Sequence, residues 1–295
     1  QERFVSMTTH TLEHKQIITN GVALHVVQAG DPNGELVILL HGFPEFWYGW
    51  RKQIEYLAAA GYWVWAPDQR GYNLSEKPQG IDAYKISTLA ADIVGLIDAA
   101  EREQAYVVGH DWGAAVAWTV AIRHAERVKK LAILNVPHPK IMQQTIMSSP
   151  AQMLKSWYIG FFQLPVIPEL FSSAGDFYFS AQALLKTSKP GTFSAADMAE
   201  YVRAWQQPGA LSSMINWYRA MGRRLDDGAF SANPRVTVPT IIIWGAQDRF
   251  LERGMAQAST TLCDDARVIY FEDATHWVQH EKPNEVNALL SEFLR

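Results

Sequence analysis

The chain has 295 residues, 48% of them hydrophobic and 19% charged, with a formal net charge of -4. That is the balance of a globular protein with ample core, long enough for one large domain or two small ones. It carries no basic run to hold nucleic acid and no apolar stretch of membrane-spanning length. Its single cysteine, Cys263, excludes an internal disulfide and fits a reducing, cytoplasmic setting.

No charged segment followed by an apolar core marks a signal peptide at the N-terminus. Residues 22–27 and 36–40 read as strands, the second followed at once by His41-Gly42-Phe43-Pro44. Residues 48–60 read as a helix and 62–65 as a strand. Over 87–100, Leu89, Ile93, Leu96 and Ile97 recur at helical spacing behind Ser87 as N-cap. Residues 105–108 form a β-branched apolar run of buried-strand character. Gly109-His110-Asp111-Trp112-Gly113 follows, then a helix-compatible run of small residues, and 128–134 reads as another strand. Repeated β–α alternation predicts an α/β fold: a mostly parallel sheet with helices on both faces.

At Pro137-His138-Pro139 the rhythm breaks. Residues 137–230 lack alternating strands, are crowded with aromatic side chains, and hold helical stretches such as 195–205. The β–α pattern resumes with 240–244, 267–271 and a last helix over 284–294. The expected division is therefore a core over 1–136, a helical insert over 137–230 and the rest of the core over 231–295. A helical block inserted late into such a sheet reads as a lid over the strand ends, where open-sheet sites lie. An independent helical domain is the alternative, disfavoured because the sheet needs its last strands from beyond the insert.

Strand, Gly109-x-x-x-Gly113, helix is the pattern of a nucleophile elbow, a tight turn that lifts its central side chain above the sheet. Here that side chain is Asp111. On its own the motif is better explained by an aspartate that N-caps the next helix, and the further matches along the chain reverse that preference. As a nucleophile, a carboxylate needs no base at neutral pH and can attack an sp3 carbon, leaving an ester open to water. Ester hydrolysis then needs a base and an acid to orient it, and elbow order places both later in the chain. Asp248, just past strand 240–244, is the expected acid, and His276, past strand 267–271, the expected base. Among the nine histidines, His110 beside the nucleophile and His280 one turn beyond His276 are the competitors. Asn135, at the other position available to the acid, cannot carry the charge. The backbone N–H groups of Phe43 and Trp112 are the expected oxyanion donors, since Pro44 has none. Cys263 has no motif around it and reads as a passive thiol.

Together, His41-Gly42-Phe43-Pro44, the Gly109–Gly113 elbow, Asp248 and His276 resemble the epoxide hydrolases of the α/β-hydrolase fold. Residues 68–75, Asp-Gln-Arg-Gly-Tyr-Asn-Leu-Ser, fit a loop typical of that family. The resemblance spans nearly the whole chain, although the core motifs are shared with haloalkane and haloacid dehalogenases. It implies two lid tyrosines that hold the epoxide oxygen: Tyr218, within Asn216-Trp217-Tyr218-Arg219, and Tyr158, with Tyr178 and Tyr201 as substitutes for the latter. Ring opening makes an alkoxide, which needs a proton that a phenol can supply and a halide does not require. Haloalkane dehalogenases often carry asparagine where Phe43 stands. Fluoroacetate dehalogenases use arginines where Trp112 and Ala115 stand, so an anionic substrate is disfavoured. The resemblance therefore implies hydrolysis of an apolar or aromatic small-molecule epoxide to a vicinal diol through an aspartyl ester, without cofactor or metal, by a monomer or homodimer. A haloalkane dehalogenase using Asp111 and His276, and a non-catalytic small-molecule receptor, are the alternatives.

Overall fold

The computed structural model describes residues 11–223 and 234–295. Among them the sheet has eight strands in the order β1-β2-β4-β3-β5-β6-β7-β8: β1 (Glu13–Thr19), β2 (Val22–Ala29), β3 (Leu36–Leu40), β4 (Trp63–Pro67), β5 (Ala105–His110), β6 (Val128–Leu134), β7 (Thr240–Gly245) and β8 (Ala266–Phe271). The β1–β2 hairpin and its join to β4 are antiparallel, and every later pairing is parallel.

The central strands are buried on both faces, which is why they read as continuous apolar runs rather than alternating ones. Alternate residues of each strand feed two cores. Ile38, Leu40, Val107, Leu131 and Ile133 face α2 (Ile86–Ala99) and α3 (Trp112–Arg123), meeting Leu89, Ile93, Val116 and Trp118. Leu39, Val108, Ala132 and Ile243 face α1 (Arg51–Ala59) and the last helix, meeting Ile54, Leu57, Val286 and Leu290.

Between β6 and β7 the described residues form six helices: α4 (Pro139–Ser148), α5 (Pro150–Lys155), α6 (Trp157–Phe161), α7 (Ile167–Thr187), α8 (Ala195–Trp205) and α9 (Ala210–Gly222). The core then continues through α10 (Gly254–Thr260), α11 (Val278–Glu281) and α12 (Pro283–Leu294). The expected boundary at 230/231 lies outside the described residues, as do residues 1–10. The insert is tied to the core by buried polar contacts. The indole of Trp205 donates to the Pro44 carbonyl at 2.6 Å and that of Trp217 to the Arg70 carbonyl at 3.0 Å. α8 opens on a capping box in which Ser194 and Asp197 satisfy each other's backbone N–H groups. No helix of the described residues is long and apolar enough to cross a membrane.

Three local expectations need correction. β1 goes unnoticed in the sequence because most of its side chains are exposed and polar, as suits an edge strand. The second helix begins at Ile86 with Lys85 at the N-cap position, so Ser87 lies inside the first turn instead of capping it. Residues expected as one helix over 48–60 open instead with a 3-10 turn, Trp47–Trp50, before α1.

Candidate active site

The chain leaves β5 and turns sharply into α3 through Asp111, whose φ of 50° and ψ of -125° place a non-glycine residue in a strained region. Glycine is required on both sides. A Cβ on Gly109 would lie 2.4 Å from the Gly113 carbonyl, and one on Gly113 would lie 2.1 Å from the Leu40 carbonyl. Asp111 makes no side-chain cap on α3, so the capping explanation does not describe it. Its carboxylate instead points into a cavity, with 19% of the side chain exposed.

Asp111 Oδ1 accepts a 2.6 Å hydrogen bond from the Phe43 N–H. This is one of the two donors expected from the sequence, and the other, Trp112, opens α3 directly after the elbow. His276 places Nε2 3.4 Å from Asp111 Oδ2 and Nδ1 2.7 Å from Asp248 Oδ2. Asp248 is fully engaged. Its Oδ1 accepts from the Phe250 and Leu251 N–H groups at 2.7 and 3.0 Å, and its Oδ2 also accepts from Asn135 Nδ2 at 2.8 Å. Asn135 in turn accepts from the Gly245 N–H at 2.8 Å. It braces Asp248 from the neighbouring strand end, a contact not legible in the sequence.

The charges explain one another. Burial alone would lower the His276 pKa, but the charge of Asp248, with that of Asp111 and hydrogen bonds to both, pushes it up to about 10. Burial would raise Asp111, yet His276, His110 and the Phe43 N–H hold it below the usual carboxylate range. The free site therefore holds an imidazolium between two carboxylates.

Asp111, His276, Tyr158 and Tyr218 line one cavity of about 200 Å³ whose remaining walls are mainly aromatic. Burial, and then the Asp111 charge, raises both phenols above their ordinary value, so each keeps its proton at neutral pH. The two rings meet edge-on at 6.0 Å, and Tyr218 also packs edge-on against Phe43 and Trp112. Of the substitutes considered for Tyr158, Tyr178 is exposed, and the Tyr201 hydroxyl donates to Glu45 Oε1 at 2.7 Å. Neither lines the cavity.

The competing histidines belong to a buried network centred on Glu45. His280 Nε2 lies 2.6 Å from Glu45 Oε1, and His110 lies 3.2 Å from Oε2 through Nδ1 and 2.8 Å from the His276 carbonyl through Nε2. Although burial opposes it, His280 and His110 hold Glu45 well below the usual carboxylate range. Cys263 is buried, and burial pushes its thiol up to about 12, in keeping with a passive role.

A family model described as the alpha/beta hydrolase fold matches residues 35–283. The chain is 49% identical to the AB hydrolase superfamily protein YfhM of Bacillus subtilis (strain 168), covering 94% of this chain and 96% of that one. It is 36% identical to Epoxide hydrolase A of Mycobacterium tuberculosis (strain ATCC 25618 / H37Rv), covering 94% and 95%. Among solved structures, Bacillus megaterium epoxide hydrolase in complex with an inhibitor superposes with a TM-score of 0.86 at 32% identity, covering 95% and 99%.

Proposed function

The chain belongs to the epoxide hydrolases of the α/β-hydrolase fold, and from that premise we propose that it converts an apolar or aromatic epoxide and water to a vicinal diol through an ester on Asp111. The observation that carries this reading is the meeting of four groups in one apolar cavity: an ionised elbow aspartate, a carboxylate-paired imidazole and two protonated phenols. The helices between β6 and β7 act in it as the lid, supplying both phenols.

An Asp111 oxygen attacks an oxirane carbon while the C–O bond breaks and its electron pair goes to the oxygen. Tyr158 and Tyr218 donate hydrogen bonds to that oxygen, one of them gives it a proton, and the His276 imidazolium then returns a proton to the phenolate. Esterification removes one of the two negative charges that hold the proton on His276. The imidazole is then neutral, oriented by Asp248, and free to draw a proton from water. Water adds to the ester carbonyl, and the N–H groups of Phe43 and Trp112 stabilise the resulting oxyanion. Collapse releases the diol and restores the Asp111 carboxylate. Two phenols favour an oxygen leaving group over a halide, which needs no proton.

A single turnover in oxygen-18 water tests the ester. Label is expected in the Asp111 carboxylate, read by mass spectrometry of the peptide. First-turnover label in the diol would mean that water attacks the epoxide directly.

A further inference from the structure

α7 is broken in its middle. Ala174 leaves the helical region, and Gly175, Asp176 and Phe177 take φ values of 61°, 57° and 63°. That conformation suits glycine, and two of the three residues are not glycine. In an unbroken α-helix, residues eight apart are separated by about 12 Å along the axis. Here the rings of Phe171 and Phe179, one on each side of the break, stack with centroids 4.5 Å apart and planes 20° from parallel.

The break is held in place from the insert itself. Phe177 is buried against Trp205, with centroids 5.8 Å apart. Gln206 Nε2 donates to Asp176 at 2.7 Å, and Ser180 Oγ donates to the Ser172 carbonyl across the break at 3.0 Å. Strain maintained in this way clusters at ligand clamps and active sites. Phe171 and Phe179 both line the catalytic cavity, yet they are 49% and 44% exposed, whereas Tyr218 and His276 are buried. The stacked pair therefore stands where the cavity meets solvent. No Lys or Arg lines the cavity among the described residues, so nothing there anchors an anionic substituent.

On the epoxide hydrolase reading above, we propose that Phe171 and Phe179 determine specificity, the outer face and edges of their stack forming an aromatic wall for a planar, uncharged aryl substituent at the mouth while the oxirane lies between Asp111 and the two phenols. Aromatic faces reward a flat π-system beyond what buried area alone supplies. The break in α7 stacks the two rings into one wall of the cavity, each with one face against the other and the rest of its surface free.

The test compares phenyl glycidyl ether with 1,2-epoxyhexane on the double variant Phe171→Leu/Phe179→Leu, which keeps apolar bulk and removes both π-faces. Because the rings are half exposed, the variant is expected to fold, as circular dichroism will check, and the two single variants are made alongside it. KM for phenyl glycidyl ether should rise about ten-fold with kcat unchanged. The change in KM for 1,2-epoxyhexane should be several-fold smaller than that for phenyl glycidyl ether. Binding of 3-phenoxypropane-1,2-diol, followed by calorimetry, should weaken by a similar factor. Equal losses on both epoxides would reduce the pair to packing residues, and no change on either would remove its role. Diol binding that depends on the two rings, in a wild-type protein that opens neither epoxide, would uphold the pair and defeat the activity.

Discussion

At the scale of single residues, the two half-reactions of the proposed mechanism separate by which side chain each requires. His276→Gln removes the base and leaves the nucleophile and both phenols in place. A covalent adduct of substrate mass should therefore accumulate on Asp111, detectable by intact-protein mass spectrometry. Tyr158→Phe or Tyr218→Phe should instead slow formation of that adduct. One hydrogen bond to a charged group contributes roughly 1.5–3 kcal/mol, so each change should cost about ten- to a hundred-fold in the pre-steady-state rate, and the pair far more. His276 also ties pH to stability. Its folded pKa of about 10 lies above the ordinary histidine value of 6.5. Its contribution is therefore complete below the unfolded pKa and is lost as pH rises toward 10. Denaturant midpoints should fall across that window, and the fall should be shallower in Asp248→Asn, which removes the main cause of the raised pKa.

At the scale of elements, the site depends on how closely loops approach one another. A Cβ on Gly42 would lie 2.2 Å from Asp111 Cβ and 2.4 Å from its Oδ1. Gly42→Ala must therefore displace either Asp111 or the loop that presents the Phe43 N–H. A shift of about 1 Å in a reacting group can cost on the order of a hundred-fold in rate. Adduct formation should drop by about that much while circular dichroism stays unchanged. Gly254, at the start of α10, has open space at the same position. Gly254→Ala is the matched control, expected to leave the rate intact.

At the scale of the whole molecule, Glu45 joins parts of the chain that are far apart in sequence. Its carboxylate takes the Tyr201 hydroxyl from α8, His280 from α11 and His110 from the elbow. Through His110 the same node reaches the backbone of His276. Glu45→Ala would leave several buried donors unpaired, at a cost of about 1–3 kcal/mol for each. Tyr201→Phe removes one hydrogen bond to a charge and should cost less, roughly 1.5–3 kcal/mol. Urea denaturation of the two variants checks both the sizes and their order.

Local chemistry made much of this protein legible from its residues alone. Gly109-x-Asp111-x-Gly113 between a β-branched run and a small-residue helix announces an elbow, because only glycine fits its two close approaches. The parallel strands betray themselves as continuous apolar runs, since burial on both faces leaves no polar side to alternate. Asp248 and His276 follow from chain order, because loops after parallel strands emerge at one end of the sheet. Other features depend on contacts between distant segments. The bracing of Asp248 by Asn135 spans 113 positions, and the Tyr201–Glu45 contact spans 156. Periodicity reports on a residue's own element and is silent about such partners. The choice among Tyr158, Tyr178 and Tyr201 was likewise open in an aromatic-rich segment with no alternating pattern. Packing of the insert on the core sets the three apart: Tyr158 lines the cavity, Tyr178 faces solvent and Tyr201 is bound to Glu45.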